Sequence, residues 1–135
     1  YPIKLCSYNK KSNHLDVFKN IKTPEKFINA RGNCPGILIG NYYYFILHKV
    51  QKNVINNKIL YNYIHFIVCL SKNFNVIKHS EYFKFKDKKV EFCLGMIYDK
   101  DNNNILFSYS CLDYLSYISY QKFDSFESSL KWYYN

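Results

Sequence analysis

The sequence has very little arginine, alanine or glycine, and the shortage of arginine narrows the class of protein most. Among 19 Lys and Arg residues only Arg31 is an arginine, although the net charge is +9. Arginine supplies the planar fork that reads phosphates and guanine edges, so a specific nucleic-acid reader of this size would normally contain more of it. The lysines at turns are more simply explained as solubilising charges, while non-specific attraction to polyanions stays open.

The cysteines and histidines lack the spacing of a disulfide framework or a metal site. The five cysteines are odd in number and form no C-x-x-C pair, and Cys69, Cys93 and Cys111 lie in apolar, strand-like runs. This pattern favours reduced thiols in the core and a cytoplasmic location. The four histidines show no metal-ligand spacing with the cysteines, and no Gly-rich phosphate loop or nucleophile elbow occurs. We therefore expect no metal and no cofactor.

Long apolar runs and glycosylation sequons are also missing. No apolar stretch approaches the ~20 residues that a helix needs to span a bilayer, so we expect no membrane partner. The many asparagines include no Asn-x-Ser/Thr sequon, which also favours an intracellular protein.

Aromatic and β-branched residues dominate the 135-residue chain instead. Aromatics make up 20% of it, and Tyr, Phe, Ile and Val favour the pleated, half-buried surface of a sheet. Gly40-Asn41 between two apolar runs predicts a tight hairpin, and residues 82–86 alternate Phe and Lys like a strand. About nine strands joined by short polar turns predict an all-β, antiparallel fold, with one helix over Ser125–Tyr134.

Four ionisable residues lie inside or beside these apolar runs, where they need a partner or a ligand to offset lost hydration. Arg31 is predicted either to hold a phosphate, carboxylate or sugar hydroxyls, or to form an ion pair with Glu91. His48 ends a nearly pure hydrophobic run, and it is either a ligand group or a core histidine. Glu91 and Asp113 each have hydrophobic residues on both sides. Glycoside chemistry needs paired carboxylates, yet each equally suits a hydrogen bond to ligand hydroxyls or backbone amides, so we predict no catalytic residue.

Two further patterns have a functional and a structural interpretation. His65 shares one strand face with Tyr61 and Tyr63, which could stack on a flat ring or simply pack between sheets. Lysines interleave with Phe83 and Phe85 in the run of residues 83–89. Stacking plus cations is typical of single-stranded nucleic-acid binding, but charged residues pointing outward also protect an edge strand, which we favour.

The order of five short motifs resembles a known family. The motifs are R-G-x-x-P-G-x-L-x-x-x-x-Y-x-x-x-x-H over Arg31 to His48, Y-x-H-F-x-V-x-L over Tyr63 to Leu70, S-x-x-F-x-F over Ser80 to Phe85, E-F-x-x-G over Glu91 to Gly95, and S-Y-S-x-x-D over Ser108 to Asp113. Together they resemble the second half of a five-bladed β-propeller of carbohydrate-active proteins. Such propellers are often fused to glycosyltransferase domains and are similar to those of mannoside phosphorylases and hydrolases.

The resemblance implies a partial propeller of about two and a half antiparallel blades with a short C-terminal helix. Its parts would be a partial blade over 1–30, blades over 31–85 and 86–124, and a terminal helix over 125–135. A glycan or sugar-phosphate would bind in the funnel through five residues: Arg31, His48, His65, Glu91 and Asp113. The relatives carry their catalytic acid in the first half, so any glycosyl transfer or cleavage would belong to missing blades or an associated glycosyltransferase domain. The first alternative is a non-catalytic module that self-associates through exposed strand edges. A basic nucleic-acid binder is the second and less favoured alternative.

Overall fold

The computed structural model describes residues 3–135 and consists mainly of antiparallel strands joined by short turns. Its one α-helix, α1, covers Phe123–Ser129, and a single 3₁₀ turn covers Glu25–Phe27. The strands are β1 Ile3–Asn9, β2 His14–Ile21, β3 Arg31–Gly32, β4 Ile37–Ile39, β5 Tyr42–Ile55, β6 Lys58–Ser71, β7 Val76–Ser80, β8 Glu91–Asp99, β9 Asn104–Cys111, β10 Leu115–Lys122 and β11 Trp132–Tyr134. The predicted all-β, antiparallel class is confirmed.

The strands form three sheets that are not closed into a ring. β1 and β2 make a two-stranded hairpin, and β8, β9 and β10 make a three-stranded meander. The central sheet has the order β11-β7-β6-β5-β3, with β4 also paired to β5. Both β5 and β6 are 14 residues long and pair along their whole length.

The central sheet is covered on both faces, which explains the unbroken burial of β6 over residues 64–70. On one face, Ile46, Ile67 and Cys69 pack against the three-stranded sheet and α1. On the other face, Phe66, Val68 and Leu70 pack against Ile21, Phe27 and the partly buried Ile3 and Leu5. A strand buried on both sides cannot alternate apolar and polar residues, and its sequence therefore becomes a continuous apolar run.

The predicted hairpin at Gly40-Asn41 is confirmed. Ile39 pairs with Tyr42, and Gly40 has a φ of +59°, which a residue without a Cβ adopts at no steric cost. The predicted core thiols are confirmed as well, because Cys69, Cys93 and Cys111 are buried and all five cysteines are free.

The predicted helix over 125–134 is wrong in its second half. The helix begins two residues earlier and ends at Ser129, because Phe123 and Phe126 are the residues that enter the core. Trp132–Tyr134 then extends as β11 and pairs with β7 at the edge of the central sheet. The Trp132 indole donates to the Glu127 carbonyl (2.9 Å), and the Lys78 ammonium lies 4.1 Å from the Trp132 ring centroid. The chain end is therefore a sheet edge held by tertiary contacts.

The predicted strand over 82–86 is reduced to one bridge. Phe83 exchanges two backbone hydrogen bonds with His65 (2.8 and 2.9 Å), and no other residue of this segment joins a sheet. The seven-residue helix α1 is too short to cross a bilayer, and the part of the chain described here contains no candidate membrane-spanning helix.

Candidate functional site

The pairing of β5 with β3 on one side and with β6 on the other brings Arg31, His48 and His65 together. Arg31 of β3 is opposite His48 of β5, and His48 is opposite His65 of β6. Side chains directly opposite each other in an antiparallel pair lie on the same face. These three residues, far apart in sequence, therefore form one row across the face that packs toward the three-stranded sheet.

His48 is buried in an aromatic environment. Its ring is stacked on Tyr63, with centroids 5.7 Å apart, and meets Phe92 edge-on at 5.1 Å. The Nδ1 atom of His48 is hydrogen-bonded to the Oδ1 atom of Asn33, which fixes the ring orientation. Burial, and secondarily the positive charge of Arg31, lowers the pKa of His48, so the ring is neutral at pH 7.

His65 is completely buried, and neither ring nitrogen has a hydrogen-bond partner among the described residues. Its ring contacts Phe85 edge-on at 5.1 Å and lies 6.3 Å from the His48 ring. Burial, and secondarily the neighbouring His48, lowers the pKa of His65 to about 4. His65 is thus a neutral polar ring held in an apolar setting.

Glu91 is also completely buried, but its carboxylate is fully engaged with the backbone. Oε2 accepts the amide of Phe85 (2.7 Å), and Oε1 accepts the amides of Lys86 (3.0 Å) and Lys88 (2.6 Å). The loop between them turns at Asp87, which has a φ of +55°. Successive amides around such a turn form a concave anion-binding nest. Here the anion is the protein's own carboxylate, and it orders the segment whose Phe85 ring contacts His65.

The predicted alternative, an ion pair between Arg31 and Glu91, does not form. Arg31 is exposed, Glu91 is buried, and neither belongs to an ion pair within the described residues. Asp113 lies in the β9–β10 turn with a φ of +61°, and its side chain is exposed without a hydrogen bond in the part described. The fold thus brings Arg31, His48 and His65 into one row, binds Glu91 to the loop that follows Phe85, and leaves Asp113 at a solvent-facing turn.

A polar groove of about 640 Å³ opens beside this row, and we call it the Arg31 groove. Its lining continues the His48 face along β5 and β6 and adds the loop before β3: Asn29, Ala30, Arg31, Val50, Lys52, Tyr61 and Tyr63. None of these residues is acidic. Two cations and two tyrosine rings therefore share one open groove, and Tyr63, one of its walls, is stacked on the buried His48.

The sequence alone does not identify Lys52 and Asn33 as site residues. Lys52 is directly opposite Tyr61, with its ammonium 5.7 Å from the ring centroid. The signal was available in the paired asparagines Asn56-Asn57, whose φ values of 50° and 59° form a tight two-residue turn. Counting back from that turn opposes Lys52 to Tyr61 and His48 to His65.

The lysine-rich segment 83–89 is ordered by contacts within the protein. Lys84 pairs with Asp87 (3.1 Å), and the Lys86 ammonium lies 5.4 Å from the Tyr117 ring centroid. Phe85 is stacked on Tyr109 at 4.3 Å. The rings of Phe83 and Phe85, on which a nucleic-acid base would have to stack, are therefore packed against the protein core.

The geometry defines an all-β protein with a basic, tyrosine-lined groove beside two buried histidines. No protein-family model matches the chain, and no curated protein or solved structure matches it significantly. Its function is therefore argued from the groove itself.

Proposed function

We propose that this chain binds a carbohydrate with an anionic group, such as a sugar phosphate, in the Arg31 groove. The observation that carries the proposal is the combination of Arg31 and Lys52 with Tyr61 and Tyr63 around one open volume. Guanidinium and ammonium groups provide charge-assisted hydrogen bonds to phosphate or carboxylate oxygens. Tyrosine rings offer flat apolar surface for a sugar ring together with a hydroxyl for its polar edge.

In this proposal the central sheet and the three-stranded sheet are neighbouring blades of a propeller, as the family resemblance suggests. Antiparallel meanders packed face to face through a shared apolar core support that interpretation. Glu91, buried and bound to three amides, acts as a structural anchor of the site. Asp113, His48 and His65 remain proposed ligand residues in this scheme. His48 would act through Tyr63, because the two rings are stacked. Any bond making or breaking belongs to an associated glycosyltransferase domain or to further blades.

Binding of hexose 1-phosphates, compared with the parent hexoses, tests this function. We expect Arg31→Ala and Lys52→Ala each to weaken binding of the phosphorylated sugars about tenfold or more, because each removes a charge-assisted contact. Tyr61→Ala should weaken the binding of both the hexose 1-phosphates and the parent hexoses, because it removes the ring on which the sugar stacks. Isothermal titration calorimetry measures these affinities.

Lys58→Ala is the matched control for that experiment. Lys58 lies on the same β5–β6 hairpin as Lys52 but is opposite Ile55, so its side chain is on the reverse face. It should leave sugar-phosphate affinity unchanged. Equal losses in Lys58→Ala and Lys52→Ala, or no binding of any sugar phosphate by the unaltered chain, would show that the groove is not a sugar-phosphate site.

A second property, self-association, is favoured by the free edge of β10. Ile118 and Tyr120 on this strand are 76% and 64% exposed, and its outer backbone groups are unpaired in the described structure. Such an edge is a template for a strand of a second copy. We expect sedimentation velocity to show concentration-dependent dimerisation that Ile118→Lys abolishes, since a charge on the edge opposes pairing. A chain that stays monomeric at every concentration would contradict this.

A further inference from the structure

The far ends of β5 and β6 form an arm that leaves the body of the protein. Tyr63 is the last residue on this side bonded to another segment, through its amide to the Lys89 carbonyl (2.8 Å). Beyond it, residues 51–62 pair only with each other in the described structure, and the tight turn at Asn56-Asn57 closes the arm. A two-residue turn whose residues both have positive φ matches the twist of its strands. The arm is therefore a regular ribbon that projects its tip into solvent.

Three aliphatic side chains occupy the tip. Val54 and Ile59 oppose each other on one face and are 71% and 57% exposed, and Ile55 beside them is 55% exposed. Single exposed apolar residues are ordinary on protein surfaces. Three at one turn, with no packing partner in the part of the chain described, make a local apolar patch of the kind that marks an interaction site.

The surroundings of this tip are positively charged. Lys52 and Lys58 flank it, and the sequence from Arg31 to Ser80 contains no acidic residue. Tyr61 lies one step behind on the face of Val54 and Ile59. Tyrosine and lysine are the residues that suit the boundary between lipid headgroups and water, because each combines an apolar body with a polar end.

We propose that this arm docks on the surface of an anionic lipid bilayer, with Val54, Ile55 and Ile59 entering between the headgroups and the two lysines among the lipid phosphates. A phosphate backbone of nucleic acid would match the lysines but would gain nothing from the aliphatic tip. A second copy would bring a tip of the same charge against this one. The expectation of no membrane partner depended on the length needed to span a bilayer, which surface docking does not require.

Co-sedimentation with lipid vesicles tests the proposal. The unaltered chain should sediment with vesicles of phosphatidylcholine and phosphatidylserine and remain in solution with phosphatidylcholine alone. Val54→Ser combined with Ile59→Ser should weaken vesicle binding about tenfold or more, since apolar area is lost from the inserted tip. Lys58→Glu should weaken it tenfold or more as well, because a lysine near an anionic surface contributes about fivefold in affinity and reversing its charge counts twice.

Matched controls separate the arm from general surface effects. Ile97→Ser removes a comparably exposed aliphatic residue from β8, and Lys100→Glu reverses an exposed lysine in the β8–β9 turn. Ile97→Ser should leave vesicle binding unchanged, and Lys100→Glu should change it far less than Lys58→Glu does. Because the substituted positions of the tip are exposed, circular dichroism should show intact sheets in every variant.

A tryptophan at the tip gives an independent measurement. In Ile55→Trp the fluorescence should shift to shorter wavelength with the anionic vesicles, and in Ile97→Trp it should not. No vesicle binding, or binding that the tip variants retain, would overturn the proposal. Loss of RNA binding or of self-association in the tip variants, without any vesicle binding, would instead assign the arm to those partners and overturn it equally.

Discussion

A Glu91→Ala variant is expected to lose about 3–5 kcal/mol of stability, enough to unfold a domain of ordinary stability. The alanine removes the buried carboxylate that accepts the partly buried amides of Phe85, Lys86 and Lys88. An unsatisfied buried donor costs about 1–3 kcal/mol. The loop would then have to open toward water, and Phe85 would leave its stack on Tyr109. Urea denaturation followed by circular dichroism measures the loss.

Glu91→Gln separates a structural role from ligand binding. The amide keeps the size of the side chain but replaces one acceptor oxygen with a donor that faces another donor. We expect a smaller loss, of about 2 kcal/mol. Asp113→Asn is the matched control, because the exposed Asp113 makes no hydrogen bond in the described structure and asparagine tolerates its φ of +61°. It should change stability by less than about 0.5 kcal/mol. A Glu91→Gln chain that is fully stable but loses sugar-phosphate binding would contradict the anchoring role.

Glu91 also shows why an apolar setting alone does not identify a binding site. The sequence correctly places a carboxylate where it needs a partner. Which partner it finds depends on the backbone path of 85–88, because three amides converge on it only after the chain turns at Asp87. The predicted Phe/Lys strand over 82–86 fails for the same reason. Beyond Phe83, the Phe85 and Lys86 amides are used by Glu91 rather than by a neighbouring strand.

The strands themselves could be predicted because their pattern is local. Alternation of apolar residues and the Gly40-Asn41 turn are enough to predict the hairpin of β4 and β5. Residues 53–58 are mostly polar and contain no glycine, so the sequence alone predicts a polar loop there and gives no register of β5 on β6 that would place Lys52 near Tyr61. A single tight turn at Asn56-Asn57 settles that register.

The C-terminal segment depends on partners distant in sequence. Ser125 and Glu127 are typical of the first turn of a helix, and a helix does form there. Trp132–Tyr134 has aromatic residues that suit a strand, but it becomes one only because the edge of β7 is available. No local pattern in the last ten residues indicates that edge.

Acidification is expected to destabilise the protein, with His65 as a main cause. The pKa of its buried ring falls from 6.5 to about 4 on folding. Between these values the unfolded chain binds a proton that the folded chain excludes, so stability is fully present above pH 6.5 and is lost as the pH falls toward 4. A shift of this size corresponds to about 3 kcal/mol. The lowered pKa values of His48 and His79 act in the same direction.

His65→Phe should remove most of this dependence while keeping the ring contacts with Phe83 and Phe85. At pH 7 the variant should be at least as stable as the unaltered chain, because two unpartnered nitrogens leave the core. His14→Gln, at an exposed position on β2, is the control and should leave the profile intact. Urea midpoints measured between pH 4 and pH 7 provide the comparison. An unchanged acid slope in His65→Phe would exclude His65 as the titrating group. If the variant were more stable at pH 7 but bound sugar phosphates less well, His65 would be needed for binding at the expense of folding stability.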